Sequence, residues 1–154
     1  MGIFDKMKDV ANMVTGGAAR VSIEYEPQQA FPGEELSVRV IATSTGGQVK
    51  SKGVFVDLQS VERVNMPRGT MAGQENAVNT SYTSFSKEVQ ISPAFTLEPN
   101  ETREFEGRVR LPPDAQPTFT GRYARHEWSI RGRVEATGND PDSGYQSLRV
   151  GSNG

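Results

Sequence analysis

From Ala124 to Thr137 the character of the side chain changes at every residue. Ala124, His126, Trp128, Ile130, Gly132, Val134 and Ala136 form one set, and Arg125, Glu127, Ser129, Arg131, Arg133, Glu135 and Thr137 form the other. A period of two is what a strand with one buried and one wetted face requires, whereas a helix would scatter the first set around its axis. The same period returns in Val21, Ile23 and Tyr25, in Leu36, Val38, Val40 and Ala42, in Val54, Val56 and Leu58, and in Phe105, Gly107, Val109 and Leu111. Phe85, Val89 and Ile91, interrupted by Lys87, and then Tyr145, Leu148 and Val150 bring the strand-like segments to seven. Seven apolar faces cannot remain in water, and two packed antiparallel sheets bury them with the short connections available. The 16 Gly and 9 Pro punctuate such strands well, and no repeated strand-helix unit calls for a parallel sheet.

At 154 residues the chain suits one core, placed at residues 20–151. Residues 1–15 carry Ile3, Met7, Val10 and Val14 at spacings of four, three and four, which predicts a short amphipathic helix ended by Gly16 and Gly17. Residues 65–80 have no useful period and are expected to form a long excursion or binding loop. Cysteine is absent, which removes disulfides, thiolate catalysis and sulfur-ligated metals. With no apolar stretch of membrane-spanning length and no secretion leader, a cytoplasmic protein is expected, peripheral to a membrane at most. A formal charge of -2 creates no general field for nucleic acid, so none is expected as a partner.

No active site assembles from these residues. His126 is the sole imidazole and sits in the inward series beside Trp128, where a structural hydrogen bond is the expectation and a single-histidine relay the sharper alternative. Asn139, Asp140 and Asp142 bring oxygen donors together, but they lack the order and the closing glutamate of a calcium loop, so an ordinary Asx-turn is expected and no metal is assigned. Arg103, Arg108, Arg110, Arg122, Arg125, Arg131 and Arg133 are interleaved with carboxylates, which predicts a salt-bridged, solvated face in preference to an anion surface. Glu24, Glu26, Glu34 and Glu35 fall at outward or turn positions and are expected to face solvent. Gly46 and Gly47, like Gly16 and Gly17, lack the Lys-Ser or Lys-Thr that would follow in a phosphate loop. No catalytic, cofactor-binding or metal residue is therefore assigned, and no cofactor.

The leader GIFDKMK, the passage YEPQQAFPGEELSVRV over residues 25–40, and ISPAFTLEPNETREFEGRVRLPPDAQPTFTG over 91–121, followed by YARHEWSIRGRVEA, together resemble the arrestin-like superfamily. Within it they are most similar to the amino-terminal sandwich of the bacterial Spo0M-like (SpoOM) sporulation-control family. The resemblance spans most of residues 1–151 and implies a single immunoglobulin-like, arrestin-like sandwich, where many such proteins carry two. It implies a non-enzymatic adaptor or scaffold that binds a protein partner, or a second copy of itself as a homodimer, through strand edges and loops. Two other readings are kept. Residues 2–14 would meet a membrane surface through Ile3, Phe4, Met7, Val10, Met13 and Val14, with Lys6 and Lys8 at the head groups. A carbohydrate-binding module or an enzyme with an unrecognised site would need Tyr82, Phe119, Tyr123 and Tyr145 to gather into one patch.

Overall fold

The alternating segments become ten strands in a computed structural model that describes residues 19–152. β1 (Ala19–Glu26), β3 (Glu35–Ser44) and β7 (Thr102–Arg110) form a three-stranded antiparallel sheet in the order β1-β3-β7. β2 (Gln29–Ala30), β10 (Gln146–Val150), β9 (Ala124–Ala136), β4 (Val49–Met66) and β5 (Val78–Ser92) follow one another across the larger sheet, with β6 (Phe95–Leu97) on β4 and β8 (Phe119–Thr120) on β9. This is an all-β sandwich. The predicted helix over residues 1–15 lies outside the described residues, as does the surface expected to touch a membrane. Among the described residues no helix is long and apolar enough to cross a membrane.

Each sheet turns its apolar alternate residues toward the other. Ile23, Leu36, Val38 and Val40 from the smaller sheet meet Val54, Leu58, Ile130 and Leu148 from the larger one, all at most 2% exposed. Full burial of a side chain of this size contributes roughly 1.5–3 kcal/mol, so this shared core dominates the stability of the domain. The sheets come close where a side chain is missing: a Cβ on Gly132 would lie 2.9 Å from Val40 Cγ2, and one on Gly107 would lie 2.5 Å from Ile91 Cγ2. Glycine at these two inward positions is a packing requirement. Tyr25 ties the layers with a polar handle, its hydroxyl donating to the Ser147 carbonyl on β10. Burial lifts its phenol above the ordinary pKa of 10.0.

Two expectations need correction. The 65–80 excursion is shorter than expected, because β4 runs to Met66 and β5 starts at Val78. Its remainder is folded by local turns, with Thr70 N–H donating to Pro67 O at 3.1 Å and Gln74 N–H donating to Met71 O at 3.0 Å. Polar strand residues with water on both faces leave no alternation to read. The segment of Leu148 and Val150 becomes β10, which lies inside the larger sheet between β9 and β2 and pairs with β2 in parallel. Glu24 is 0% exposed, although its alternation points away from the core; its strand partner is Arg39, whose Nη1 lies 3.8 Å from Glu24 Oε1. A charge-compensated buried carboxylate looks the same in sequence as a solvated one.

Candidate functional site

The candidate site is the far end of the larger sheet together with its β5 edge. Beyond Ser60 the β4-β5 ribbon loses the cover of the smaller sheet: residues 61–66 of β4 and 78–84 of β5 contain no buried side chain. β5 ends the strand order, pairing with β4 on one side and with no strand among the described residues on the other. Its two halves differ in chemistry. Lys87 lies opposite the core residue Leu58, and Glu88 is ion-paired to Arg133, so charge guards the proximal half. Residues 78–84, Val-Asn-Thr-Ser-Tyr-Thr-Ser, hold no charge, no proline and no glycine, and Tyr82 is 67% exposed.

A β-bulge separates the halves. The register of β4 on β5 shifts between Ser60 and Val61, leaving Ser84 without a Cα partner in the ladder. Such an extra residue re-aims its side chain. Ser84 Oγ lies 2.8 Å from Ser60 Oγ and 3.0 Å from His126 Nε2, while His126 Nδ1 is 3.0 Å from the Pro117 carbonyl. A carbonyl can only accept, so Nδ1 carries a proton and donates it to Pro117 O, which leaves Nε2 facing the Ser84 hydroxyl. The segment before β8 supplies carbonyls to both rings: Pro117 O accepts from His126, and Gln116 O accepts the Trp128 Nε1–H at 2.7 Å. His126 is 6% exposed, as its place in the inward series predicts. It borders a depression of about 180 Å³ with Ser84, Phe85 and Trp128. The group behind the imidazole is a backbone carbonyl, not a carboxylate, so the arrangement is a hydrogen-bonded seal at the end of the core and not a charge-balanced triad.

The arginines divide into several environments. On the outer face of the larger sheet Asp57 accepts from Arg131 Nη2 at 2.8 Å and Nε at 3.0 Å, and from Arg133 Nε at 3.1 Å and Nη2 at 3.3 Å. Arg133 also pairs with Glu88, with Glu135 at 3.3 Å and with Asp140 at 3.6 Å, and Arg131 lies 3.7 Å from Asp142. Arg133 is 8% exposed, which corrects its expected solvated position: Phe55 lies under its guanidinium at 4.9 Å. Burial works against its charge, but hydrogen bonds and attraction to Asp57 and Glu88 outweigh that penalty and raise its pKa above the ordinary value. Arg108 and Arg110 share Glu35 on the smaller sheet, and Arg103 lies over Phe95 and Phe105. The expected salt-bridged face is therefore present, with one buried cluster that alternation did not reveal.

The remaining candidates are dispersed. Asp140 Oδ1 accepts the Ala136 N–H at 3.1 Å and Asp142 Oδ1 accepts the Gly144 N–H at 2.7 Å, which are turn-forming bonds. Among the described residues no group of three or more His, Cys, Asp or Glu is arranged to hold a metal. Tyr82 and Phe119 share a row across β5, β4, β9 and β8, through Glu62 and His126. Tyr123 lies under Arg122 at the same end of β9 as Phe119, but Tyr145 lies under Arg131 beside the middle of β9, so the four rings do not form one patch. Glu26 and Glu35 are exposed and Glu34 is half-buried, its Oε1 accepting the Phe31 N–H at 2.9 Å.

No family model and no curated protein matches the chain. Among solved structures it is similar to Spo0M, a sporulation control protein from Bacillus subtilis, with a TM-score of 0.62 and 23% identity over 87% of this chain and 49% of that one. The chain thus spans about half the length of Spo0M. The long β4-β5 ribbon, the three-stranded sheet packed on it and this likeness together show a sandwich fold like that of Spo0M.

Proposed function

We propose that the protein is a non-enzymatic intracellular adaptor that takes an extended segment of a protein partner onto the distal edge of β5. The observation that carries this reading is the run Val78–Ser84: uncharged, exposed from Asn79 onward, and at the end of the sheet order with no strand beside it among the described residues. Such an edge presents a row of main-chain donors and acceptors whose pairing supplies affinity, while Tyr82 and neighbouring side chains select the sequence that fits. The charged proximal half limits how far an incoming strand can run, which gives the contact a defined register. The regulatory role implied by the fold likeness is consistent with this reading, and the absence of cysteine suits a reducing compartment.

The test is quantitative capture of partners from cells by the wild-type protein and by a Thr80→Lys/Tyr82→Lys variant, with Thr96→Lys on β6 as a control, together with light scattering of each purified protein. Lysines on an edge oppose strand addition. The edge variant is expected to lose a partner that the wild type and the control retain. If the same scattering shows a wild-type dimer that the variant abolishes, the partner strand comes from a second copy. Equal recovery by all three proteins, with all three monomeric, overturns the proposal.

A further inference from the structure

Arg63 of β4 and Arg125 of β9 are Cα partners, so two guanidinium groups stand directly opposite each other on the outer face of the ribbon. Like charges so placed repel, and one carboxylate holds them: Glu127 Oε1 lies 3.2 Å from Arg63 Nε and 3.3 Å from Arg125 Nε. The Arg125 contact has the distance of an ion pair but not the geometry of a hydrogen bond, and this buried Nε has no hydrogen-bond partner among the described residues. Two depressions meet here. One, of about 270 Å³, is lined by Arg63, Arg125, Asn65, Asn79, Thr80 and Ser81. The other, of about 100 Å³, shares Arg63, Asn65 and Arg125 and adds Arg122 and Thr120. Three arginines thus line the two depressions, Glu127 pairs with two of them, and amides and hydroxyls that can donate surround them. The contrast with the middle of the same sheet face is sharp, since there Arg131 and Arg133 are matched by Asp57, Glu88, Glu135, Asp140 and Asp142.

We infer that this end of the sheet is a binding site for a phosphate monoester group. A tetrahedral dianion matches the surplus of positive charge, and its oxygens can accept from guanidinium forks that are already spread by their mutual repulsion. Asn65, Asn79, Ser81 and Thr120 offer neutral donors around the rim. Glu127 serves as the internal counterion that an incoming anion displaces. This site is separate from the edge proposal, because it uses the side chains of one sheet face and not the main-chain row of β5.

The test is calorimetric titration of the full-length protein with inorganic phosphate, followed by Arg63→Ala, Arg125→Ala, Glu127→Gln and Arg108→Ala. All four side chains are at least two-fifths exposed, so each variant is expected to keep the fold, which circular dichroism checks. Saturable binding is expected, weakened about tenfold by loss of either site arginine. Removing the competing carboxylate at Glu127 is expected to tighten it by about fivefold. Arg108, on the other sheet, removes the same charge and is expected to change little. No saturable binding, an equal loss with Arg108→Ala, or an unchanged or weaker affinity with Glu127→Gln would each overturn the inference. Displacement of phosphate by O-phospho-L-serine or by phosphatidate vesicles, but not by phosphatidylcholine vesicles, supports the site and tells a soluble source of the group from a lipid one. Equal displacement by phosphatidylcholine vesicles would count against it.

Discussion

Replacing Asp57 with Asn keeps the shape of the side chain and removes the one charge that both Arg131 and Arg133 grip. Asp57 accepts four hydrogen bonds from these guanidinium groups, and its side chain is 12% exposed against 10% for Arg133. Breaking a buried pair by removing one partner costs about 3–5 kcal/mol. That figure needs reducing here, because Glu88, Glu135 and Asp140 stay beside Arg133, and because Arg131 and Glu88 are 27% and 57% exposed and screened by water. A loss of about 2 kcal/mol is the expected outcome. For a domain of this size that corresponds to a fall in Tm of about 4–8 °C. Urea unfolding monitored by Trp128 fluorescence measures it, and a double-mutant cycle with Arg133→Met isolates the pair, with a coupling of about 1 kcal/mol or more expected. A loss below about 0.5 kcal/mol, the size of an ordinary surface change, would show that the other carboxylates alone hold the cluster and would refute the reasoning.

Gly132→Ala is expected to destabilise by about 1–3 kcal/mol, because the new methyl would stand 2.9 Å from Val40 Cγ2 between two packed sheets; an unchanged denaturation midpoint would show that the sheets can separate freely. Tyr25 gives a pH dependence. Its folded pKa is raised above 10.0, so its contribution is complete below that pH and is lost as pH rises through the folded value; urea midpoints should fall above about pH 10, and Tyr25→Phe should flatten that fall. A wild-type midpoint that does not change from pH 8 to pH 11 would contradict the burial of the phenol.

The sandwich was legible because its core strands obey one rule without exception in β9: every inward residue from His126 to Val134 is apolar, small or, for His126, hydrogen-bonded and buried. Where both faces of a strand meet water, as at Asn79 and Thr80, the rule has nothing to act on, and the start of β5 was read as part of the 65–80 loop. Glu24 and Arg133 were misread for a related reason. Alternation tells which side of a sheet a residue leaves from, but not whether that side is covered or which charge waits there. The edge site was half visible, since strand edges were expected to matter, but which strand ends the sheet depends on pairing order. The arginine site was hidden further: Arg63 reaches Arg125 only through the pairing of β4 with β9, and no local motif links positions so far apart in the chain.

The most direct measurement for the central claim is amide hydrogen exchange over Val78–Ser84, first in the free protein and then in its complex with a captured partner. Exchange across this run should be faster than in the central strands β4 and β9 when the protein is free, and should slow markedly in the complex while the core is unchanged. Protection that appears elsewhere and leaves these seven amides exchanging as before would contradict the claim that an incoming strand pairs with this edge.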